Sequence, residues 1–128
     1  MIARCHLPLR LESLNKIFRV GRSERIRQTQ EQRGLARSAL RYEQEKIQAA
    51  RIRSGLVVTL TRIGPAPLDP VNLGGALKAV QDGVADVTGV PDNHPSVRYE
   101  FAQRRGMSRP RPLPQDYGVL IEIVEARP

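Results

Sequence analysis

The sequence predicts a single α+β domain over residues 1–128, with one mixed sheet packed by two helices in the order β-α-β-α-β-β. Three observations lead there. Two-residue alternation of apolar and polar side chains recurs near both ends of the chain. A stripe of apolar residues at helical spacing crosses the middle. The 128 residues contain neither an internal repeat nor a linker, and that length suffices for one core without staples.

The elements follow in order. Cys5, Leu7, Leu9 and Leu11 alternate with Arg4, His6, Pro8 and Arg10, which predicts a strand, and Pro8 marks an edge or an early end. Arg22 to Arg53 is rich in Gln, Glu, Arg and Ala, good helix formers apart from Gly34. Ala36, Leu40, Ile47 and Ala50 approximate one face of that helix, and Ser54-Gly55 stops it. Leu56 to Ile63 (LVVTLTRI) is a β-branched run of strand length closed by Gly64-Pro65-Ala66-Pro67. Leu73, Leu77, Val80, Val84 and Val87 then recur in steps of four and three, the clearest helical stripe in the chain. Asp69 before Pro70 has the form of an N-cap followed by proline at the first helical position. Val97, Tyr99 and Phe101 alternate again, as do Val119, Ile121 and Ile123. Between these last two strands, Arg104 to Asp116 lacks apolar rhythm and predicts a long mobile hairpin connection.

Composition narrows the function classes. Lys and Arg number 21 against 13 Asp and Glu, a net charge of +8, and eighteen of the cations are arginines. Guanidinium groups pair bidentately with phosphates, so the surplus points to a polyanion, although a genome-wide arginine bias leaves the same signature. Aromatic residues are 4% with no Trp, too few for a row of base-stacking platforms. One cysteine, Cys5, excludes an internal disulfide, and two histidines are too few for a Cys/His zinc cage. No run approaches the ~20 apolar residues of a membrane span, so a cytoplasmic location without membrane contact is expected.

Charge is unevenly placed. Residues 1–54 carry a net +8, residues 55–95 a net −2 and residues 96–128 a net +2. Arg33, Arg37 and Arg41 fall at i, i+4 and i+8, with Arg22 and Arg25 near the helix start. Such a stripe can track a phosphate backbone, or it can be a solvated face paired with Glu31, Glu43 and Glu45. Arg104, Arg105, Arg109 and Arg111 pose the same choice between a DNA clamp and a variable tip. Asp69, Asp82, Asp86 and Asp92 crowd into 24 residues. They can form an oxygen site for Mg²⁺, but their spacing alone favours an N-cap, a Lys78–Asp82 surface pair and a turn aspartate.

The segment Leu60 to Gln103, LTRIGPAPLDPVNLGGALKAVQDGVADVTGVPDNHPSVRYEFAQ, resembles the RusA family of Holliday-junction resolvases, especially its bacterial and prophage-borne members. That family carries D-x-D-N at a strand end, K-x-x-x-D on a helix and a D-D pair after it. These positions fall on Asp69 and Asn72, on Lys78 and Asp82, and on Asp92. Ser13 to Arg19 (SLNKIFR) is similar to the family's N-terminal segment. The resemblance implies a homodimeric, Mg²⁺-dependent endonuclease cutting four-way DNA junctions in recombination and repair, in the bacterial nucleoid. Asp69 and Asp92 would be catalytic metal ligands, Lys78 would assist at the scissile phosphate, and Asn72 and Asp82 would support them. Two family carboxylates are replaced, by Val71 and Pro91, and valine cannot coordinate a metal. The expectation therefore divides between a junction endonuclease with a weakened Mg²⁺ site and a branched-DNA-binding protein that has lost the chemistry.

Overall fold

A computed structural model describes residues 1–11 and 20–127, so the SLNKIFR segment lies outside the described residues. Four strands form one mixed sheet: β1 (Ala3–Leu7), β2 (Leu56–Gly64), β3 (Val97–Arg105) and β4 (Gly118–Glu125). Their spatial order is β1-β4-β2-β3. β4 pairs antiparallel with β1 and with β2, while β3 runs parallel to β2. The helices are α1 (Arg22–Ala39), α2 (Gln44–Ser54) and α3 (Pro70–Thr88). A parallel β2–β3 pair needs a crossover rather than a tight turn, and α3 supplies it.

The apolar alternation read from the strands becomes one inward face. Val58, Leu60, Ile121, Ile123 and Val119 are fully buried in one cluster with Leu77, Val80, Val84 and Val87 of α3, Ala36 of α1, Leu40 just after it, and Ile47 and Ala50 of α2. Each large side chain so buried stabilises the fold by roughly 1.5–3 kcal/mol before entropy is charged against it. The alternate positions Val57, Thr59, Thr61, Glu122 and Val124 lie on the opposite face and stay half-buried. Pro8 ends β1 at Leu7, and β1 is indeed an edge strand.

Two local expectations change. The helix expected from Arg22 to Arg53 is two helices joined by a 3-10 turn at Arg41–Glu43. No glycine or proline sits at that turn; burial of Leu40 before it and of Ile47 and Ala50 after it sets the bend. The Arg104–Asp116 connection is not a hairpin either. β2 lies between β3 and β4, so the loop passes over the end of β2. It is anchored there: the Gly106 N–H donates to the Gly64 carbonyl, and buried Asp116 accepts from the Leu113 N–H at 2.8 Å.

Candidate functional site: two carboxylate clusters and two arginine settings

Asp69 caps α3, with Pro70 at the first turn as its sequence predicts. One carboxylate oxygen accepts the Asn72 backbone N–H at 3.0 Å and the other accepts Asn72 Nδ2 at 2.5 Å. These bonds, the backbone one foremost, hold the Asp69 carboxyl below the usual carboxylate range. Val71 stands beside this cap, 76% exposed.

The second cluster is built on the middle of α3. Lys78 Nζ bonds Asp92, in the turn after the helix, and lies 3.1 Å from Asp82 one helical turn along. The Asp92 bond, with Asp82 adding, raises the Lys78 ammonium above its ordinary value. The Tyr99 hydroxyl of β3 is buried without a hydrogen-bond partner among the described residues. Burial, and then the charges of Asp92 and Asp82, push it well above a normal phenol.

Sequence reasoning joined Asp69 to Asp92. The structure joins Lys78, Asp82 and Asp92, and leaves Asp69 with Asn72 at the helix start. Nine residues of α3 separate Asp69 from Lys78, about 13 Å of rise. Between Asp82 and Asp92 the cation already in place is the Lys78 ammonium. Among the described residues no three His, Cys, Asp or Glu side chains gather as a metal cage. As arranged, Asp69 serves as a helix cap and Asp82 and Asp92 flank an ammonium. Burial, with Glu43 adding, raises the Cys5 thiol to about 11, which disfavours its thiolate form.

The arginines divide into two settings. On α1, Arg33 grips Asp86 of α3 bidentately, at 2.8 and 2.7 Å, and Arg37 approaches the same carboxylate at 3.5 Å. Arg41 falls beyond the end of α1 in the 3-10 turn, so the predicted stripe is interrupted. Arg27, not the stripe, takes Glu24 and Glu31. Arg22 and Arg25 open α1, Arg22 exposed and Arg25 half-buried.

The other setting is the end of the sheet where β2 and β3 finish. Arg104, Arg105 and Arg111 are exposed there, and among the described residues none has a carboxylate partner; Arg105 donates to the Pro65 carbonyl at 3.1 Å. Arg109 Nε lies 2.9 Å from an oxygen of buried Asp116, yet its N–H points off that oxygen and has no acceptor. Arg10 stacks on the Tyr117 ring at 4.9 Å. Arg62, which sequence reasoning passed over, is 8% exposed beneath them. The signal for it was present: Arg62 continues the inward phase of Leu56, Val58 and Leu60, and a cation in that phase is anomalous.

No protein-family model, curated protein or solved structure matches the chain. No helix among the described residues is long and apolar enough to cross a membrane.

Proposed function

We propose that the protein binds branched DNA of the four-way-junction kind, as a homodimer, with little or no strand cleavage of its own. One observation supports this most: the acids aligned with the nuclease motif are engaged by Asn72 and Lys78, while Arg104, Arg105 and Arg111 at the sheet end have no carboxylate partner among the described residues. Phosphate affinity needs available guanidiniums, whereas phosphodiester cleavage needs carboxylates free to hold an ion. The likeness of Leu60–Gln103 to junction resolvases supplies the branched shape of the target and the two-fold dimer that suits it. A second reading, a Mg²⁺-dependent junction endonuclease, is favoured by the meeting of Lys78 with Asp82 and Asp92.

Fluorescence anisotropy on a synthetic four-way junction and a linear duplex of equal length tests the proposal. The junction is expected to bind more tightly. Its affinity should fall about 10²-fold between 50 and 200 mM salt, as the neutralisation of roughly four phosphates requires. No strand scission is expected on adding Mg²⁺. A flat salt response would remove DNA as the partner, and efficient Mg²⁺-dependent nicking would favour the endonuclease.

A further inference from the structure

The end of the sheet encloses a cavity of about 370 Å³. Arg10, Arg62 and Arg109 reach it, together with Asp116 and Tyr117. Pro67, Leu68 and Met107 give it an apolar wall. It adjoins the Asp69 cap through the Pro65–Leu68 turn but shares no side chain with either carboxylate cluster.

Its floor is a buried cation with no anion beside it among the described residues. The Arg62 guanidinium donates to the Ala66 carbonyl at 2.8 Å and to the Leu11 carbonyl at 3.4 Å from each of Nε and Nη2. No carboxylate pairs with it among the described residues. A guanidinium has five N–H donors, and these bonds use three. Gly64 leaves room for it: a Cβ there would lie 2.8 Å from Nη2 and 2.9 Å from the guanidinium carbon. Burial lowers the Arg62 pKa, so the charge is held at a cost that carbonyl dipoles offset only in part. In the wall above, the Arg109 Nε–H is buried and lacks an acceptor. The one acid lining it among the described residues, Asp116, is engaged by the Leu113 N–H and by Arg109 itself. The cavity therefore holds a surplus of positive charge with donors left over, next to a flat apolar wall.

We infer that this cavity is a nucleotide-binding pocket, in which a phosphate meets Arg62 and Arg109 and an attached ring lies against Pro67, Met107 and the Arg10–Tyr117 stack. The inference rests on the DNA-binding reading for its choice of phosphate ester. The nucleotide can be free, or it can be one unit of a bound strand turned out of its stack, since the recognising chemistry is the same.

The test uses the full chain, with deoxyadenosine 5′-monophosphate, deoxyadenosine and inorganic phosphate as probes in calorimetric titrations. Junction affinity is measured in parallel. For a free ligand, the monophosphate binds, phosphate binds more weakly, deoxyadenosine does not bind, and Arg62→Gln weakens the monophosphate at least tenfold. For a strand-borne nucleotide, the monophosphate is weak or silent while Arg62→Gln lowers junction affinity about tenfold. Arg10→Gln, a change at an exposed residue, should weaken whichever ligand binds about threefold. It serves alone if Arg62→Gln fails to fold. If no probe binds and both variants keep native junction affinity, the pocket is refuted while DNA binding stands. Absence of junction binding by the native chain refutes the DNA reading itself.

Discussion

The α1–α3 seam and the sheet-end cavity are built from the same side chain and put it to opposite uses. At the seam, Arg33 and Arg37 converge on one carboxylate, Asp86, which one face of α3 presents to them. At the cavity, Arg62 is far more deeply buried and among the described residues meets only backbone carbonyls. A guanidinium facing a carboxylate is internally neutralised and ties two helices together. One facing carbonyls keeps its net charge and stays competent toward an outside anion. The +8 of the chain is thus a poor guide to where it meets a polyanion; the partner of each arginine decides.

The glycines under the two regions carry the largest expected effect. A Cβ on Gly83 of α3 would sit 2.4 Å from the Arg33 carbonyl oxygen and 2.7 Å from the Ala36 Cβ, so the helices must part. Gly83→Ala is expected to cost about 1–3 kcal/mol in urea unfolding, with junction affinity unchanged in the folded fraction. The atoms nearest a Cβ on Gly64 are those of the buried Arg62 guanidinium. Gly64→Ala should also cost about 1–3 kcal/mol, since the guanidinium must leave its Leu11 and Ala66 carbonyls, and unlike Gly83→Ala it should impair ligand binding in the folded fraction. Native ligand binding by Gly64→Ala would refute the distinction.

Paired removals of arginine give the next effect. Arg104→Gln with Arg111→Gln, at the sheet end, should reduce the slope of log affinity against log salt by about 1.8, near 0.9 for each phosphate no longer neutralised. Arg33→Gln with Arg37→Gln should leave that slope close to native while lowering the melting temperature. The reverse pattern would move the DNA surface onto the helices, and the sheet-end arginines would become ordinary solvated charge.

Local signals made part of this legible. α3 was readable because its apolar spacing, its Asp69-Pro70 start and its Gly89 stop agree with one another, and Gly89 adopts the left-handed conformation a helix stop uses. The bend after Ala39 was not readable, since nothing in Ala39-Leu40-Arg41-Tyr42 disfavours helix and only tertiary burial of Leu40 and Ile47 creates it. Nor does the composition of residues 106–117 disclose that β2 intervenes between the strands they join; strand order is a property of the whole sheet. Lys78 and Asp82 were legible as a pair one helical turn apart, whereas the bond of Lys78 to Asp92 depends on how the turn after α3 folds back. Arg33 and Arg37 were visible as a stripe, but their shared partner Asp86 lies 49 residues or more away in sequence, beyond any local pairing rule.

The smallest effect isolates the seam by pH. The Arg33 bond, with the charges of Arg33 and Arg37, holds the Asp86 carboxyl below its ordinary value, so its ionised form is favoured more in the folded chain than in the unfolded one. A carboxyl depressed in this way contributes stability that is complete above its unfolded value, near 3.8, and is lost as pH falls through the lower folded value. The pair is partly solvated, with Asp86 at 23% and Arg33 at 48% side-chain exposure, which limits the contribution to under about 1 kcal/mol. Asp86→Asn should therefore lie below the native protein by that amount from pH 7 to pH 5 in chemical unfolding, and the gap should close below pH 4. A gap that persists unchanged at pH 3 would mean that Asp86 acts through its shape and hydrogen bonds rather than its charge. The seam would then no longer be an electrostatic counterpart to the cavity.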